Sequence, residues 1–281
     1  MREFKKSSKL DNVLYDVRGP VVEEANRMEA CGTQVLKLNI GNPAPFGFRT
    51  PDEVIYDMSH QLTDCEGYSP SQGLFSARKA IMQYAQLKKL PNVSIDDIYT
   101  GNGVSELINL CMSALLDDGD EILIPSPDYP LWTACATLAG GKAVHYICDE
   151  QSEWYPDIDD MRKKITDRTK AIVIINPNNP TGTYVPIGEL EAFADTLPED
   201  VLLVMDEAYM EFATEPDCCS MVDYMKAHPE KPILVLRTFS KYYAMAGLRV
   251  GYALGSEELI GIMRKCSASW KLNVCAQKAA E

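Results

Sequence analysis

The stretch from Arg237 to Ala253, RTFSKYYAMAGLRVGYA, places a lysine between a strand-like run and an arginine that is flanked by glycines. A lysine that acts as an amine nucleophile needs a lowered pKa, which burial and a nearby positive charge provide. Arg249, eight residues after Lys241, is a candidate for that charge. Because an isolated lysine motif is more typical of a solvated surface residue, the interpretation depends on the rest of the chain.

The composition is that of an acidic globular protein. Of the 281 residues, 46% are hydrophobic, and 41 acidic residues against 27 Lys and Arg give a formal net charge of -14. This excess of negative charge opposes binding to nucleic acid and to anionic membranes. The sequence has no run of roughly 18 apolar residues and no apolar signal-peptide core at the N-terminus, which predicts a cytoplasmic protein without a membrane span.

The cysteines and histidines exclude two further classes of site. Nine cysteines are scattered along the chain without a CxxC pair, which predicts free thiols in a reducing compartment. With three histidines in the whole chain, a zinc cluster is not expected, and we predict no metal.

Helix-like and strand-like segments alternate from about residue 50 onward. Apolar spacing predicts helices over residues 51–62, 74–87 and 103–116. Short apolar runs predict strands at 98–100, 121–125, 142–147, 171–176, 201–206, 233–239 and 250–254, with the most apolar of them central. This alternation predicts an α/β fold of three layers, with a mainly parallel sheet between two layers of helices.

The first 45 residues are less regular than the rest. We expect residues 1–45 to form an N-terminal arm and part of a small domain, and residues 46–281 to form the large domain. Five polar or glycine-rich segments lie at the ends of predicted strands: TGNG (100–103), SPDYP (126–130), NPNNPTG (176–182), DEAY (206–209) and TFSK (238–241). Ligands of open α/β sheets bind at the carboxyl ends of strands, so we expect these segments to share one pocket.

Each candidate side chain in these segments has a structural and a chemical interpretation. Asp206 is either a cap for the next turn or a buried carboxylate that needs a cationic partner, such as a protonated pyridine nitrogen. Tyr209 is either a core aromatic or a phenol that contacts the same ring. Asn179, in its proline-rich loop, is either a turn residue or a rigidly held amide.

The segment GNGVSE (101–106) opens a predicted helix, so the amides of Val104 and Ser105 are candidates for binding a phosphate. Glu106 occupies the third glycine position of the motif GxGxxG, which argues against a nicotinamide dinucleotide. Tyr129 is either a packing aromatic or a stacking platform, and Tyr68 by itself is typical of a surface turn.

In this order, the segments GYSPSQG (67–73), GNG (101–103), DYP (128–130), NPNNPTG, DEAY, TFSK and GLRVG (247–251) resemble the class I and II aminotransferases. These enzymes have fold type I and use pyridoxal 5'-phosphate. The resemblance covers nearly the whole chain. It implies a homodimeric enzyme that moves an amino group between an amino acid and a 2-oxo acid.

The resemblance also implies a role for each candidate residue. Lys241 is placed like the lysine that forms a Schiff base with the cofactor and moves the substrate proton. Asp206 corresponds to the partner of the pyridine nitrogen, and Asn179 and Tyr209 correspond to the pair that binds the ring's phenolic oxygen. Tyr129 corresponds to the stacking aromatic.

The implied phosphate ligands are Val104, Ser105, Thr238, Ser240, Arg249 and, from the neighbouring subunit, Tyr68. Arginine suits this role because its guanidinium binds phosphate through two hydrogen bonds. Gly41 corresponds to a backbone position near the substrate carboxylate, and Asn179 also borders the substrate.

The resemblance is divided between two subfamilies. Up to NPNNPTG the sequence is similar to bacterial alanine, or glutamate–pyruvate, aminotransferases. From about residue 185 the chain is more similar to histidinol-phosphate aminotransferases, as in LRTFSKYYAMAGLRVGYA (236–253). A divergent natural member and a chimera both account for this division. Because the N-terminal segment borders the substrate, we expect alanine or glutamate with pyruvate or 2-oxoglutarate, and histidinol phosphate is the alternative.

Family members continue beyond the position of Glu281 with a segment that carries an arginine for the substrate carboxylate. We therefore expect this chain to keep the cofactor site but lack part of the substrate clamp, or to be an engineered or incomplete version. Two alternatives follow: a cofactor-binding protein with little transaminase activity, and a lyase or decarboxylase that uses the same cofactor.

Overall fold

A computed structural model describes residues 5–10, 13, 20–38 and 40–281. The strands in these ranges are β1 (Ile98–Gly101), β2 (Glu121–Ser126), β3 (Lys142–Asp149), β4 (Tyr155–Pro156), β5 (Thr169–Ile175), β6 (Leu202–Asp206), β7 (Ile233–Thr238) and β8 (Gly251–Leu254). They form one sheet in the order β1-β8-β7-β6-β5-β2-β3-β4. Strand β8 is antiparallel to both its neighbours, and β4 is antiparallel to β3. The other pairs are parallel, which confirms the predicted mainly parallel sheet.

The α-helices of the described ranges are α1 (Pro20–Ala30), α2 (Asp52–His60), α3 (Phe75–Leu87), α4 (Gly103–Leu115), α5 (Leu131–Ala139), α6 (Ile158–Lys164), α7 (Ile187–Asp195), α8 (Val222–Ala227), α9 (Glu257–Cys266) and α10 (Val274–Lys278). The predictions for residues 74–87 and 103–116 agree with α3 and α4 to within one residue. The predicted helix at 51–62 ends earlier, at His60, and a 3-10 helix follows at Leu62–Cys65. None of the helices in the part of the chain that the structure describes is long and apolar enough to cross a membrane.

The two faces of the central strands pack against different helices. Successive strand residues point to opposite faces, so Ile172 and Ile174 of β5 join one buried cluster with Phe193 of α7. Val173 joins a second cluster, which contains Trp132 of α5. Full burial of a large apolar side chain stabilises the fold by about 1.5–3 kcal/mol. The three-layer arrangement is confirmed, and strands β5, β6 and β7 are central as their apolar sequences predict.

A buried ion cluster joins the carboxyl ends of β6 and β7. The Arg237 guanidinium donates to Glu207 at 2.7 and 3.0 Å and to Glu211 at 2.9 Å. The Arg237 side chain is 4% exposed and that of Glu207 is fully buried, so both charges are compensated only by their partners in the cluster. Asp206 immediately precedes Glu207, and Thr238 immediately follows Arg237. The cluster therefore holds their backbones at a set separation.

A smaller apolar cluster packs beneath the loop that follows β7. Met245 and Val250 of this loop are buried against Leu272 and Ala276, and Met58 of α2 packs on the same group. Lys241 lies in this loop. The C-terminal segment of the described chain and α2 thus support the loop that carries the lysine.

The N-terminal residues are more exposed. Helix α1 contains no buried residue, and Leu36, Leu38 and Ile40 are all more than half exposed. Residues 1–4, 11–12, 14–19 and 39 lie outside the described part of the predicted arm. The boundary at residue 45 between an arm and a large domain stays a prediction.

Candidate active site

Lys241 lies three residues beyond the end of β7, with its amine directed at the N-terminal segment. Its Nζ donates to the backbone carbonyl of Gly41 at 2.6 Å. A Cβ at position 41 would lie 3.0 Å from this amine and 3.2 Å from the hydroxyl of Tyr209, so glycine admits the close approach of both groups. Burial lowers the pKa of Lys241, and the positive charge of Arg249 lowers this pKa further. The predicted effect of Arg249 is confirmed in direction, with burial as the larger cause.

Asp206 is the last residue of β6 and is 3% exposed. Its Oδ2 accepts a hydrogen bond from the indole Nε1 of Trp132 at 3.1 Å, and its Oδ1 accepts from the amide of Ala208 at 3.2 Å. Burial raises the pKa of Asp206 to about 6. Among the described residues Asp206 forms no ion pair, so both expected features are present: a local amide contact and a buried carboxylate that lacks a cation.

Tyr209 and Asn179 meet beside the lysine. The side-chain amide of Asn179 donates to the Tyr209 hydroxyl at 3.4 Å, and the amine of Lys241 lies 5.8 Å from the centre of the Tyr209 ring. Burial, followed by the negative charge of Asp206, raises the pKa of Tyr209. The segments NPNNPTG, DEAY and TFSK therefore converge, as their positions at strand ends predict.

Hydroxyl groups lie at the end of β7, two residues apart. Thr238 Oγ1 donates to Ser240 Oγ at 2.9 Å and accepts from the amide of Ser240 at 3.0 Å. Both residues are buried. The turn thus holds two hydroxyls in a fixed arrangement beside Lys241.

Arg249 approaches the start of α4, where the first helical amides are located. Its Nη2 donates to the carbonyl of Asn102 at 3.3 Å, and its Nη1 donates to the carbonyl of Ala246 at 3.1 Å. A Cβ at Gly103 would lie 2.7 Å from Nη2, and the φ of Gly103 is +72°, so glycine favours both this backbone conformation and this contact. Within the described residues Arg249 has no carboxylate partner. The side chain of Asn102 does not cap α4, so the first helical amides and the Arg249 guanidinium adjoin each other, which favours binding of an anion.

The remaining candidates lie around this centre. Val104 and Ser105 occupy the first turn of α4 and are partly buried, and Val104 packs on the core. Tyr129 is partly buried against the same core and contributes to the raised pKa of Tyr209, which places it nearby. Tyr68 is 82% exposed and stacks on Trp270, with ring centres 4.9 Å apart. In this single chain Tyr68 therefore lies on the surface.

Sequence reasoning missed two polar contacts of the site. Trp132 contacts Asp206, and Lys271 and Glu106 form an ion pair at the start of α4. A signal for Trp132 existed, because a tryptophan that follows the strand-end segment SPDYP needs a partner for its indole N–H when it is buried. No sequence pattern indicated Lys271, which lies 30 residues from Lys241 in a segment without a motif.

Comparison with known proteins identifies the class to which this fold and site belong. Residues 33–281 match the family described as aminotransferase class I and II. The glutamate-pyruvate aminotransferase AlaA of Escherichia coli (strain K12) is 47% identical over 297 aligned positions, which cover 100% of this chain and 71% of that protein. The crystal structure of an aminotransferase from Escherichia coli superimposes with a TM-score of 0.90 at 46% identity, covering 99% of this chain and 70% of the other. The chain belongs to the class I and II aminotransferases.

The two expected subfamily resemblances differ in strength. The histidinol-phosphate aminotransferase 2 of Carboxydothermus hydrogenoformans is 36% identical over 273 residues, or 96% of this chain. The similarity to AlaA is higher and extends over the full chain, including the part beyond residue 185. The alanine-type resemblance is therefore the stronger one over the whole length.

Membership of this family implies pyridoxal 5'-phosphate as cofactor, and the described residues fit its chemistry. The buried carboxylate of Asp206 lacks a cation, which a protonated pyridine nitrogen supplies. Arg249 and the N-terminus of α4 offer positive groups for a phosphate. The amine of Lys241 has a lowered pKa, which favours the neutral form that attacks an aldehyde.

The raised pKa of Asp206 predicts a pH-dependent effect of the substitution Asp206→Asn on the protein without cofactor. The folded pKa of about 6 exceeds the unfolded value, about 3.9. Between these pH values the folded state retains a proton that the unfolded state has lost, so the wild-type protein loses stability as pH rises through this window. Asparagine does not titrate, so we expect the stability of the variant relative to wild type to increase by about 2 kcal/mol between pH 4 and pH 7.5.

Urea unfolding of both proteins at the two pH values measures this difference. Comparison with wild type cancels the titration of all other groups. A stability difference that is the same at both pH values would show that Asp206 is not held in an unfavourable charged state.

Proposed function

We propose that this aminotransferase moves the amino group between alanine or glutamate and pyruvate or 2-oxoglutarate. The observation that carries the proposal is the 47% identity to glutamate-pyruvate aminotransferase AlaA over the whole chain. The geometry supports it, because an amine with a lowered pKa, a buried carboxylate without a cation and the N-terminus of α4 lie together. The compartment that we propose is the cytoplasm, on the basis of the nine scattered cysteines.

In this proposal each part of the site holds one part of the cofactor. The amine of Lys241 would bind the aldehyde carbon, Asp206 would hold the pyridine nitrogen, and Asn179 and Tyr209 would donate to the phenolic oxygen. Tyr129 would pack against the ring. The phosphate ligands are Val104, Ser105, Thr238, Ser240 and Arg249. When bound, the protonated ring accepts the electron pair that remains after the substrate loses its α-proton.

Asp206 maintains this capacity through its charge. A carboxylate beside a protonated ring nitrogen stabilises the protonated form, and burial strengthens the interaction because water does not screen it. Trp132 orients the carboxylate through the hydrogen bond to Oδ2. The same burial that destabilises Asp206 in the free protein therefore becomes an attraction for a cation.

Lys241 moves the proton. A general base works best when its pKa lies near the operating pH, and burial together with Arg249 shifts the pKa of Lys241 in that direction. Once the amino group of the substrate has taken its place, the free and neutral Nζ would take the proton from the Cα of the substrate. In this proposal the substrate carboxylate would bind beside Gly41, whose carbonyl contacts this amine in the free protein, and beside Asn179, which contacts Tyr209.

The active unit that we propose is a homodimer in which Tyr68 binds the phosphate of the partner's site. Exposure of the Tyr68 and Trp270 rings supports this proposal, because stacked aromatic side chains on a surface are typical of an interaction site. The exposed apolar side chains of Leu36 and Leu38 are consistent with an arm that packs against another subunit. Residues 1–45 then form this arm and part of a small domain, and residues 46–281 form the large domain.

Lys241→Ala tests the covalent contact with the cofactor. We expect wild-type protein with pyridoxal phosphate to show a visible absorption band that borohydride abolishes, leaving the cofactor attached to Lys241. The variant lacks the amine, so it shows no such attachment after borohydride treatment. Mass spectrometry of the digested protein locates the modification, and attachment at another lysine contradicts the proposal. Lys265→Ala, at an exposed helix position, is the matched control and retains the modification.

Substrate choice is tested by product analysis with purified protein. With alanine and 2-oxoglutarate we expect glutamate and pyruvate, at a kcat/KM on the order of 100-fold above that for histidinol phosphate, because a small-substrate pocket poorly accommodates the larger phosphate ester. The reverse preference would support the histidinol-phosphate alternative. Ammonia and pyruvate from a β-substituted amino acid would indicate a lyase, and cofactor binding without turnover would indicate a binding protein.

A mixing experiment tests whether Tyr68 acts in the neighbouring subunit. Tyr68→Phe removes a phosphate contact and Lys241→Ala removes the amine, so each variant alone has two defective sites per dimer. Random reassociation of equal amounts restores about a quarter of the sites, since one site of each mixed dimer then has both groups. Stoichiometry of tight cofactor attachment measures this recovery. If Tyr68 acts within its own chain, every site in the mixture stays defective.

A further inference from the structure

Glu106 places a negative charge at the start of α4. Its Oε2 accepts from the backbone amide of Asn102 at 2.8 Å and from the Asn102 side-chain amide at 3.2 Å. A carboxylate in the first turn is favourable for the helix, because it complements the helix dipole and satisfies a terminal N–H group. It is unfavourable for a phosphate bound at the same helix end, since the two negative charges repel each other.

Lys271 supplies a positive charge next to this carboxylate. The side chain is 3% exposed, and its Nζ lies 2.9 Å from Glu106 Oε2. The same ammonium donates to the carbonyl of Thr100 at 2.5 Å and lies 4.7 Å from the centre of the Tyr99 ring. A buried ammonium is costly unless it is paired, so the position of Lys271 depends on Glu106. Burial lowers the pKa of Lys271, and the hydrogen bond and charge of Glu106 raise it.

Asn102 connects this ion pair to the arginine of the site. Its side-chain amide donates to the carbonyl of Lys271 at 2.9 Å, and its own carbonyl accepts from Arg249 Nη2 at 3.3 Å. Glu106 and Lys271 thus bind the same residue that contacts the guanidinium. A single residue separates the ion pair from Arg249.

We propose that Lys271 is a positioning residue of the phosphate subsite, where it cancels the charge of Glu106 and, with Glu106, holds Asn102 against Arg249. This inference rests on the proposed role of Arg249 and α4 in phosphate binding. Glu106 orders the start of the helix, and Lys271 prevents that carboxylate from repelling the phosphate. The pair therefore orders the start of α4 without leaving a net negative charge next to the anion.

The test measures the affinities of pyridoxal phosphate and of pyridoxal, which lacks the phosphate, for three proteins. Lys271→Met leaves the charge of Glu106 uncompensated, so we expect pyridoxal phosphate to bind about 10-fold or more weakly while pyridoxal binds as in wild type. Lys271→Met combined with Glu106→Gln removes both charges and retains an acceptor for Asn102. We expect this double variant to bind pyridoxal phosphate within about threefold of wild type.

Two results would overturn the proposal. One is an equal loss of affinity for pyridoxal and pyridoxal phosphate in Lys271→Met, which would indicate a general structural role. The other is a double variant as weak as the single variant, which would show that the charge of Glu106 is not the cause. If Lys271→Met does not fold, wild-type and double-variant proteins still decide the matter, because a double variant with 10-fold weaker phosphate-specific binding contradicts it. Failure of wild-type protein to distinguish pyridoxal phosphate from pyridoxal would instead refute the proposed phosphate site itself.

Discussion

The burial of the Asp206 carboxylate is the constraint on which the rest of the site depends. A carboxylate at the end of an apolar central strand is costly, and the two neutral donors that contact it offset only part of that cost. Asp206 is removed from water because β6 lies between two parallel neighbours and is fully buried. The fold thus stores an unfavourable charge where a cationic ring is proposed to bind.

The surrounding structure holds this charge in place. The cluster of Arg237, Glu207 and Glu211 links the ends of β6 and β7 next to Asp206. The cluster is rigid because the loss of any one member would leave a buried charge unpaired. On the other side, the apolar cluster around Met245 supports the loop that carries Lys241. The stability that these two clusters provide allows the unfavourable Asp206 carboxylate in the site itself.

Two basic side chains near the proposed phosphate site, Arg249 and Lys271, have different partners. Within the described residues Arg249 donates hydrogen bonds only to backbone carbonyls, which leaves its charge available to an anion. Lys271 is buried and forms an ion pair with the partly buried Glu106. The net negative charge of the chain repels anions. An anion site is possible here because the charge of Arg249 is available, whereas Lys271 neutralises Glu106.

The sequence by itself determined the α/β class, the strands and the segments that supply the site. Apolar runs such as 171–176 and 201–206 predict buried central strands because few other structures bury consecutive apolar residues, and the chemistry then falls at their ends. Only the tertiary structure decided which groups are paired. Trp132 meets Asp206 across 74 positions, and Lys271 meets Glu106 across 165. Local patterns record periodicity and turns but not which distant side chains share a buried space, and the charge state of a buried group depends on that space.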